Sequence, residues 1–282
     1  MKAIFTLTPA ESKRLIAKGV AVLDEVQVAM RSGMIIIGAG TTNAFVVEEL
    51  TGEEIDKAAY TAGIITDGRQ CVTAPEDRIA PIVLVDGKKS ELSWEEAVEK
   101  MGKDDVFIKG GNAIDVDGVV GVQLADPNGG TIGKALPIII ARGAHLVSPV
   151  GLEKLIYRVG WTSRYAGIET FDLKLGMPVG MMPIAHGRPV TELEALEVLF
   201  DVFASHISSG GIDGSEGSVT LVIESFEWCK DGENGENESK NNEQNPVEIA
   251  FELIKSIKGE KPVGSLKRKC SACSARCDYP GK

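Results

Sequence analysis

The pattern of apolar and polar positions predicts a strand, a tight turn and a helix in succession. The apolar run MIIIG, residues 34–38, is too short and too rich in β-branched side chains for a helix, so it predicts a buried strand. After Gly40, the stretch TTNAFVVEELTG predicts an amphipathic helix that ends at Gly52. The junction between them is a Gly-x-Gly turn, and it raises the question of what such a turn holds.

The same patterning continues on both sides of this unit. Apolar side chains at helical spacing predict one helix from Thr8 to Gly33, with Pro9 in its first turn and Glu11 completing a capping box. Downstream, strands are predicted in APIVLVDGKKSEL, DVFIKGG, VVGVQLA and AHLVSPVG. Helices are predicted in SWEEAVEKMG, which Ser93 caps, in GTIGKALPIIIARG and in LEKLIYRVG. Pro137 is expected to bend or restart its helix.

The later part of the chain is less regular. Residues 164–189 have little periodicity and many Gly and Pro residues, so they predict irregular structure. VTELEALEVLFDVFASHI predicts an amphipathic helix that starts near Thr191, and SVTLVIESFEW predicts a final strand. The alternation of strands and helices predicts an α/β fold with a Rossmann-like, mostly parallel sheet flanked by helices.

A change of composition divides the chain. Residues 229–245 contain no aliphatic side chain and predict a mobile connector, whereas PVEIAFELIKSIKG after it predicts a short helix. We therefore predict an α/β domain over residues 1–228, a flexible linker over 229–246, and a short helix with a cysteine-bearing tail over 247–282.

Length and charge narrow the classes of protein. With 282 residues, 43% of them hydrophobic, the chain has enough apolar material for a sizeable core. The net charge of −11 argues against a nucleic-acid or membrane partner, because both would require a basic surface. No apolar run resembles a membrane span or a secretory signal, so we expect a cytoplasmic protein, and homo-oligomerisation stays open.

The Gly-x-Gly turn is a candidate anion site. A strand followed by such a turn and a helix leaves backbone N–H groups unpaired at the positive end of the helix dipole. The predicted ligand-binding residues here are Gly38, Gly40, Thr41, Thr42 and Asn43. The alternative is a tight turn whose threonines only cap the helix. The third glycine of a dinucleotide fingerprint is missing, so a nicotinamide cofactor is not favoured.

A second set of candidate site residues follows the predicted strand DVFI. The set consists of Lys109, Gly110, Gly111 and Asn112, which lie at a strand end, where open α/β sheets bind ligands. We interpret Lys109 as a candidate catalytic residue that also contacts the anion, and the three residues after it as ligand-binding.

Two aspartates continue this segment. Asp115 and Asp117 are candidate general bases for proton abstraction next to a carbonyl, although they can equally shape the turn by bonding their own backbone. Further on, Gly130 and Thr131 stand where a second glycine-rich turn precedes a predicted helix, so they are candidate ligand-binding residues, with a hairpin or a helix cap as the alternative. Among the histidines, His186 is the best candidate because it lies in a Gly/Pro-rich loop.

Three of the five cysteines stand close together at the end of the sequence. Cys270, Cys273 and Cys277 have the Cys-x2-Cys-x3-Cys spacing that lets three thiolates converge on zinc or an iron–sulfur cluster. A fourth ligand would come from Cys229, Cys71, water or a substrate atom. Neighbouring Lys and Arg residues favour thiolates, which would also suit redox-active thiols. The remaining alternative is a basic tail whose cysteines are incidental.

Two segments carry resemblances to known families. IIIGAGTTNAFVVEEL is similar to the phosphate-binding turn of ribose-5-phosphate isomerases, and FIKGGNA resembles their Lys-Gly-Gly segment, in which the lysine helps to hold the substrate. That superfamily includes glucosamine-6-phosphate deaminases and CoA transferases. The acidic motifs around the isomerase lysine are absent here, where EKMGKDDV precedes Lys109 and Gly118 is the ninth residue after it.

The stretch over residues 105–156 also resembles the lactate-utilisation domain of the same superfold. The matching positions are Gly110, Asn112, Ala113, Ile114, His145, Gly151, Glu153 and Lys154. Together, the sequence predicts an enzyme that acts on a small anionic metabolite, phosphorylated or carboxylated, with a metal or iron–sulfur centre in the tail. The alternative is a non-catalytic metabolite-sensing or electron-transfer accessory protein.

Overall fold

A computed structural model describes residues 1–225, 245–273 and 277–279 of the chain. Its described part is a mixed α/β structure with fourteen strands and eight α-helices. The strands are β1 (Lys2–Leu7), β2 (Met34–Ile37), β3 (Gly63–Thr66), β4 (Arg69–Val72), β5 (Ile82–Val85), β6 (Lys88–Lys89), β7 (Val106–Ile108), β8 (Ala113–Ile114), β9 (Val120–Leu124), β10 (His145–Pro149), β11 (Gly180–Ile184), β12 (Arg188–Val190), β13 (Val202–Gly210) and β14 (Ser218–Ser225). The helices are α1 (Pro9–Ala21), α2 (Asp24–Ser32), α3 (Thr41–Thr51), α4 (Trp94–Lys100), α5 (Gly130–Arg142), α6 (Val159–Thr162), α7 (Glu192–Phe200) and α8 (Pro246–Ser256).

A six-stranded mixed sheet forms the centre of the molecule, in the order β12-β10-β7-β2-β5-β6. The first four strands are parallel, with Phe107 of β7 opposite Ile36 of β2 on one side and Leu146 of β10 on the other. β5 and β6 extend the sheet antiparallel, as a hairpin that turns at Asp86 and Gly87. The parallel strands therefore end at a common edge.

Both faces of this sheet are buried. Ile35 and Ile37 of β2 join the core formed with α1, α3 and α7, whereas Ile36 joins a second core formed with α4 and α5. Side chains alternate between the two faces of a strand, so a strand covered on both sides must be apolar at every position. That requirement explains the uninterrupted MIII run.

A three-stranded antiparallel sheet, in the order β1-β14-β13, closes the first core from the far side. Leu7, Leu221 and Ile223 of this sheet are buried against the α1 side of the core. Helix α8 packs into the same core through Val247, Ala250, Ile254 and Ile257. The chain after the predicted linker thus contributes to the main body of the protein.

Arg14 on α1 ties three elements together. Its guanidinium contacts Glu48 and Glu49 of α3 at 2.7 and 2.9 Å, and Glu260 after α8 at 2.8 Å. The same group lies 4.7 Å from the ring centre of Phe45. One cation held by three carboxylates fixes α1 against α3 and against the segment after α8.

Much of the local prediction is confirmed. Thr8 and Glu11 form the capping box of α1, Gly52 ends α3 in a left-handed conformation, and Ser93 caps α4. Helix α5 runs through Pro137 without a restart. The predicted linker lies outside the described residues apart from Asn245, which caps α8, and Pro246. Among the described helices, none has the length and apolarity needed to cross a bilayer.

Two predicted helices are wrong. The single helix predicted from Thr8 to Gly33 is broken at Leu23, whose buried side chain belongs to an extended residue between α1 and α2. LEKLIYRVG forms a 3-10 turn, Leu152–Lys154, and reaches helix again only at Val159, where α6 begins. Between them the backbone leaves the helix, because the Ile156 N–H donates to the carbonyl of Ile114 at 2.8 Å.

Strands also occur where the sequence predicts a helix or irregular structure. The helix predicted from Thr191 through His206 ends at Asp201, which is left-handed, and the rest of the segment forms β13 paired with β14. The region expected to be irregular contains β11 and β12. Pairing with a distant strand overrode the local pattern in each case. β1 and the β3-β4 hairpin were not predicted.

The close contact between α1 and α7 allows a test of the packing. An added Cβ at Gly19 would lie 2.6 Å from the Cβ of Ala195, whereas one at Gly160 in α6 would meet no atom within 4 Å. Gly19→Ala is therefore expected to lower the free energy of unfolding by about 1–3 kcal/mol despite the better helix propensity of alanine. Urea denaturation measures the change. A Gly160→Ala control should be neutral or slightly stabilising, and equal effects of the two substitutions would contradict the packing.

Candidate functional site

A cleft of about 680 Å³ opens at the carboxyl ends of the parallel strands. Its floor is formed by the segments that follow β2, β7 and β10. These strands are neighbours in the sheet, so the residues that come after them lie close together. Helices α3 and α5 begin at its wall, and the β3-β4 hairpin forms part of its rim. We call it the central cleft.

The Gly-x-Gly turn is held rigidly at the cleft floor. Gly38 donates its N–H to the carbonyl of Ile108 at 2.9 Å, and Gly40 donates to the carbonyl of Tyr60 at 2.8 Å. The side-chain amide of Asn43 donates to the carbonyls of Gly38 and Ile108 at 2.6 and 3.3 Å. None of the described side chains caps α3 at Gly40, and the first residues of this helix line the cleft, so their N–H groups are available to a ligand there.

Lys109 extends from the end of β7 over this turn. A Cβ placed at Gly38 would lie 3.1 Å from Cδ of Lys109, so the aliphatic part of the lysine covers Gly38. Among the described residues, its ammonium group has no carboxylate within ion-pair distance. Burial, with a smaller effect from the charge of Lys154, lowers the pKa of Lys109 to about 8. The ammonium group therefore faces the cleft beside the start of α3 without a counter-charge.

Lys154 reaches the same cleft from the 3-10 turn after β10. Its Nζ donates to the carbonyl of Gly111 at 3.1 Å and lies 3.9 Å from a carboxylate oxygen of Glu153. Burial lowers its pKa, Glu153 and Glu192 oppose that effect, and Lys13 adds to it. Gly111 itself has no room for a side chain, since a Cβ there would lie 2.4 Å from the Val120 side chain.

A cluster of buried charges lies behind Lys154. Lys13 of α1 contacts Glu153 at 3.4 Å, and Glu192 at the start of α7 accepts a hydrogen bond from the Leu152 N–H at 2.9 Å. One carboxylate oxygen each of Glu153 and Glu192 is buried without a partner among the described residues. Burial, reinforced by the charge of Glu153, raises the pKa of Glu192 to about 7.

Helix α5 contributes a second helix start to the cleft. Gly129 precedes it with φ +81°, and no side chain caps the helix there. Gly130 and Thr131 line the cleft, and the ammonium group of Lys134 lies 5.4 Å from the ring centre of Trp94. Two helix dipoles thus point their positive ends into one space.

The cleft is lined by more positive than negative side chains, although the chain as a whole carries a net charge of −11. Among the described residues, the cationic ones are Arg78, Lys109, Lys134, Lys154 and Arg268, and the acidic ones are Glu95 and Asp126. A concave site with this balance attracts anions.

The structure brings most of the predicted ligand-binding residues together. Those that line the cleft are Gly40, Thr41, Thr42, Asn43, Lys109, Gly110, Gly111, Asn112, Gly130 and Thr131. Gly38 lies beneath Lys109 rather than on the cleft surface.

The predicted general bases have a different environment. Asp115 is buried, and its carboxylate accepts hydrogen bonds from the N–H groups of Asp117, Val119 and Val159 at 3.1, 3.0 and 2.9 Å. Asp117 is exposed, and neither aspartate lines the cleft. His186 is exposed outside it as well. Asp115 therefore has the contacts of a residue that shapes its turn.

Several charged residues of the site were not predicted from the residues themselves. Lys154 matched only through the resemblance, and Arg78 and Arg268 come from the segments flanking the hairpin and from the tail. Glu192 was treated as an ordinary residue of an amphipathic helix. Charge periodicity gives no signal for such residues, because their role depends on contacts between distant segments.

The predicted metal ligands lie beside the cleft rather than in it. Cys270, Cys273 and Cys277 line a smaller cavity, together with Cys71 of β4. Among the described residues, no three His, Cys, Asp or Glu side chains are positioned as a metal-binding group. Cys229, the other predicted fourth ligand, lies outside the described residues.

Comparison of the chain with protein-family models, with curated proteins and with solved structures gives no match.

The buried carboxyl of Glu192 predicts a pH-dependent stability effect. With its pKa raised to about 7, this carboxyl is neutral at pH 5 in the folded state. At pH 8 it is ionised, and burying the charge then lowers the free energy of unfolding. Glu192→Gln is expected to raise the free energy of unfolding by about 1–3 kcal/mol at pH 8 and to change it much less at pH 5. Denaturant titrations at both pH values measure this. Glu197→Gln, at an exposed position of α7, is the control, and a Glu192→Gln effect equal at both pH values would argue against a strained carboxylate.

Proposed function

We propose that the chain is an enzyme that acts on a small anionic metabolite, phosphorylated or carboxylated, bound in the central cleft. One observation carries the proposal: the half-buried side chains of Lys109 and Lys154 reach the same cleft beside the start of α3. Two nearby ammonium groups in a poorly solvated site repel each other, and a bound anion relieves that repulsion. The cleft is suited to a ligand with at least one negative charge.

The roles of the residues follow from their positions. The N–H groups of Thr41, Thr42 and Asn43 would bind the anionic group, and Lys109 would contact it from the opposite side. The same donors would stabilise negative charge that develops on a substrate oxygen, which is a major source of catalysis in such sites. Asp115 and Asp117 have no part in this scheme.

We extend the proposal to the family and the fold. A Rossmann-like parallel sheet, related to the ribose-5-phosphate isomerase, glucosamine-6-phosphate deaminase and CoA transferase superfamily, is supported by the parallel order of β2, β7 and β10. It is also supported by the meeting of the glycine turn and Lys109 at one edge. The likeness of residues 105–156 to lactate-utilisation domains agrees with the place of Lys154 at the same edge.

The second candidate is an accessory protein that binds the same anion without turnover, for metabolite sensing or electron transfer. It is favoured by the location of both candidate general bases outside the cleft. Both candidates include a zinc or iron–sulfur centre at the C-terminal cysteines. Incubation with phosphorylated sugars and with hydroxy acids, followed by mass spectrometry of the small molecules, separates them: a product supports the enzyme, and binding without a product supports the accessory protein.

Removal of the Lys109 charge tests the anion site directly. Lys109→Met keeps the aliphatic stem, so we expect affinity for inorganic phosphate and for malonate at pH 7 to fall by about tenfold to a hundredfold, as for the loss of one charged hydrogen bond. The dependence of affinity on salt should also weaken. Isothermal titration calorimetry measures both.

Lys103→Met is the matched control, because it removes the same charge from an exposed lysine whose ion pair, among the described residues, is with Asp104. It should leave affinity unchanged. Equal affinities of wild type and Lys109→Met, with both folded, would contradict the proposed role of Lys109.

The pKa of Lys109 predicts how binding varies with pH. Because this pKa is lowered to about 8, the ammonium group loses its proton as pH rises from 7 to 9. Affinity for sulfate, whose charge is constant over this range, should therefore decrease above about pH 8, by up to tenfold per pH unit. The Lys109→Met variant should show a flatter profile. A wild-type affinity that rises with pH would instead indicate that neutral Lys109 is the binding form.

A further inference from the structure

The segment that carries the C-terminal cysteines is attached to the β3-β4 hairpin before the first thiol. Arg268 donates its N–H to the carbonyl of Val72 at 3.0 Å, and Lys267 forms an antiparallel bridge with Thr73. The ammonium group of Lys267 also pairs with the carboxylate of Asp67 in the hairpin turn. The tail therefore follows the hairpin as an additional extended segment.

A second set of contacts holds the chain after the last thiol. Asp278 donates its N–H to the carbonyl of Lys174 at 2.6 Å and accepts from the Lys174 N–H at 3.0 Å. Tyr279 donates its hydroxyl to the carbonyl of Asp67 at 3.0 Å, and its ring lies 4.0 Å from the guanidinium of Arg69. The three tail cysteines are thus enclosed between two anchored points.

Four cysteines line one small cavity between these anchors. Cys71 enters it from β4, and Cys270, Cys273 and Cys277 enter from the tail. We call this space the thiol cavity.

We propose that Cys71, Cys270, Cys273 and Cys277 bind one tetrahedral zinc ion in the thiol cavity. Four thiolates complete the coordination of a structural zinc site, and the Cys-x2-Cys pair is the usual half of such a site. That pair already has a tight turn, since residues Cys270–Ala272 form a 3-10 turn and Cys273 donates its N–H to the carbonyl of Cys270 at 3.1 Å. The described thiols line the cavity without being positioned as a metal-binding group, so their side chains would have to turn inward to coordinate the ion.

The size of the cavity selects a single ion. Its volume is about 30 Å³, and one water molecule needs about 10–15 Å³ of such space. A four-iron cluster brings its own sulfides as well as its metal ions and would need more space than this cavity offers.

The charge of the surroundings also fits. Four thiolates and one divalent cation carry a net charge of −2, and the guanidinium groups of Arg69 and Arg268 line the same cavity. In each of these arginines, Nε is buried without a hydrogen-bond partner among the described residues. Thiolate sulfur accepts hydrogen bonds from such donors.

Bound zinc would fix one wall of the central cleft. Cys71 and Arg268 line both the thiol cavity and the cleft, so coordination at Cys71 would hold the Arg268 segment at the cleft rim. This connection rests on the proposed function, and the zinc site specifies the metal centre that both candidate functions include.

The test measures metal in the full chain produced with added zinc and purified without chelators. Elemental analysis should give one zinc per chain, and cobalt substitution should give the intense visible absorption of a tetrahedral thiolate site. Cys71→Ser and Cys273→Ser should each lose most of the metal. Cys229→Ser should keep it, which separates Cys71 from the other candidate for the fourth ligand.

A measurement on the unaltered chain covers the case in which a variant does not fold. Zinc should protect Cys71, Cys270, Cys273 and Cys277 from alkylation, as read by peptide mass spectrometry, while Cys229 reacts. Iron with acid-labile sulfide, a chain without metal after reconstitution with zinc, or protection that omits Cys71 would each overturn the proposal. Lys109→Met should keep its zinc, so failure of the anion site and failure of the zinc site are distinguishable.

Discussion

Burial of both faces of the parallel strands is the constraint on which the rest of the structure depends. β2 and β7 are buried at every position, so they carry apolar side chains only and leave no place for polar chemistry along their length. Polar functional side chains can therefore lie only beyond the ends of these strands. The glycine turn begins directly after β2, and Lys109 follows directly after β7. The position of the cleft is therefore a consequence of how the sheet is covered.

The same burial accounts for the unusual electrostatics behind the cleft. Lys154 and Glu192 lie near the end of β10, where Glu192 accepts from the Leu152 N–H and Lys154 donates to the carbonyl of Gly111. Their charges are poorly solvated, so each group is shifted towards its neutral form. Opposite charges offset part of this cost, and the unpartnered carboxylate oxygens show that the compensation is incomplete. The protonation of Lys154 and Glu192 is therefore expected to respond strongly to a charge that is added nearby.

Local rules predicted the elements that depend on local chemistry. The capping boxes at Thr8 and Ser93 and the αL end of α3 at Gly52 were predictable, because each involves residues three or four apart. β13 was not, since its strand conformation follows from pairing with β14 across a register that includes His206 opposite Leu221. The site divides in the same way. Glycine turns were visible in the sequence, whereas Cys71 and Arg268 meet only because the tail returns to the hairpin.

The pairing of β1 with β14 has a consequence for the order of folding. Lys2 lies opposite Glu224 and Leu7 opposite Val219. The hydrogen-bonding partner of β1 is therefore synthesised only after the whole sequence between β1 and β14. During synthesis the segment with Phe5 and Leu7 is available to other strands throughout that interval. Contacts of such long sequence separation form slowly, since a large loop must close first. The antiparallel layer is thus expected to assemble after the parallel one, and a ribosome-bound intermediate would carry α1 with one side still uncovered.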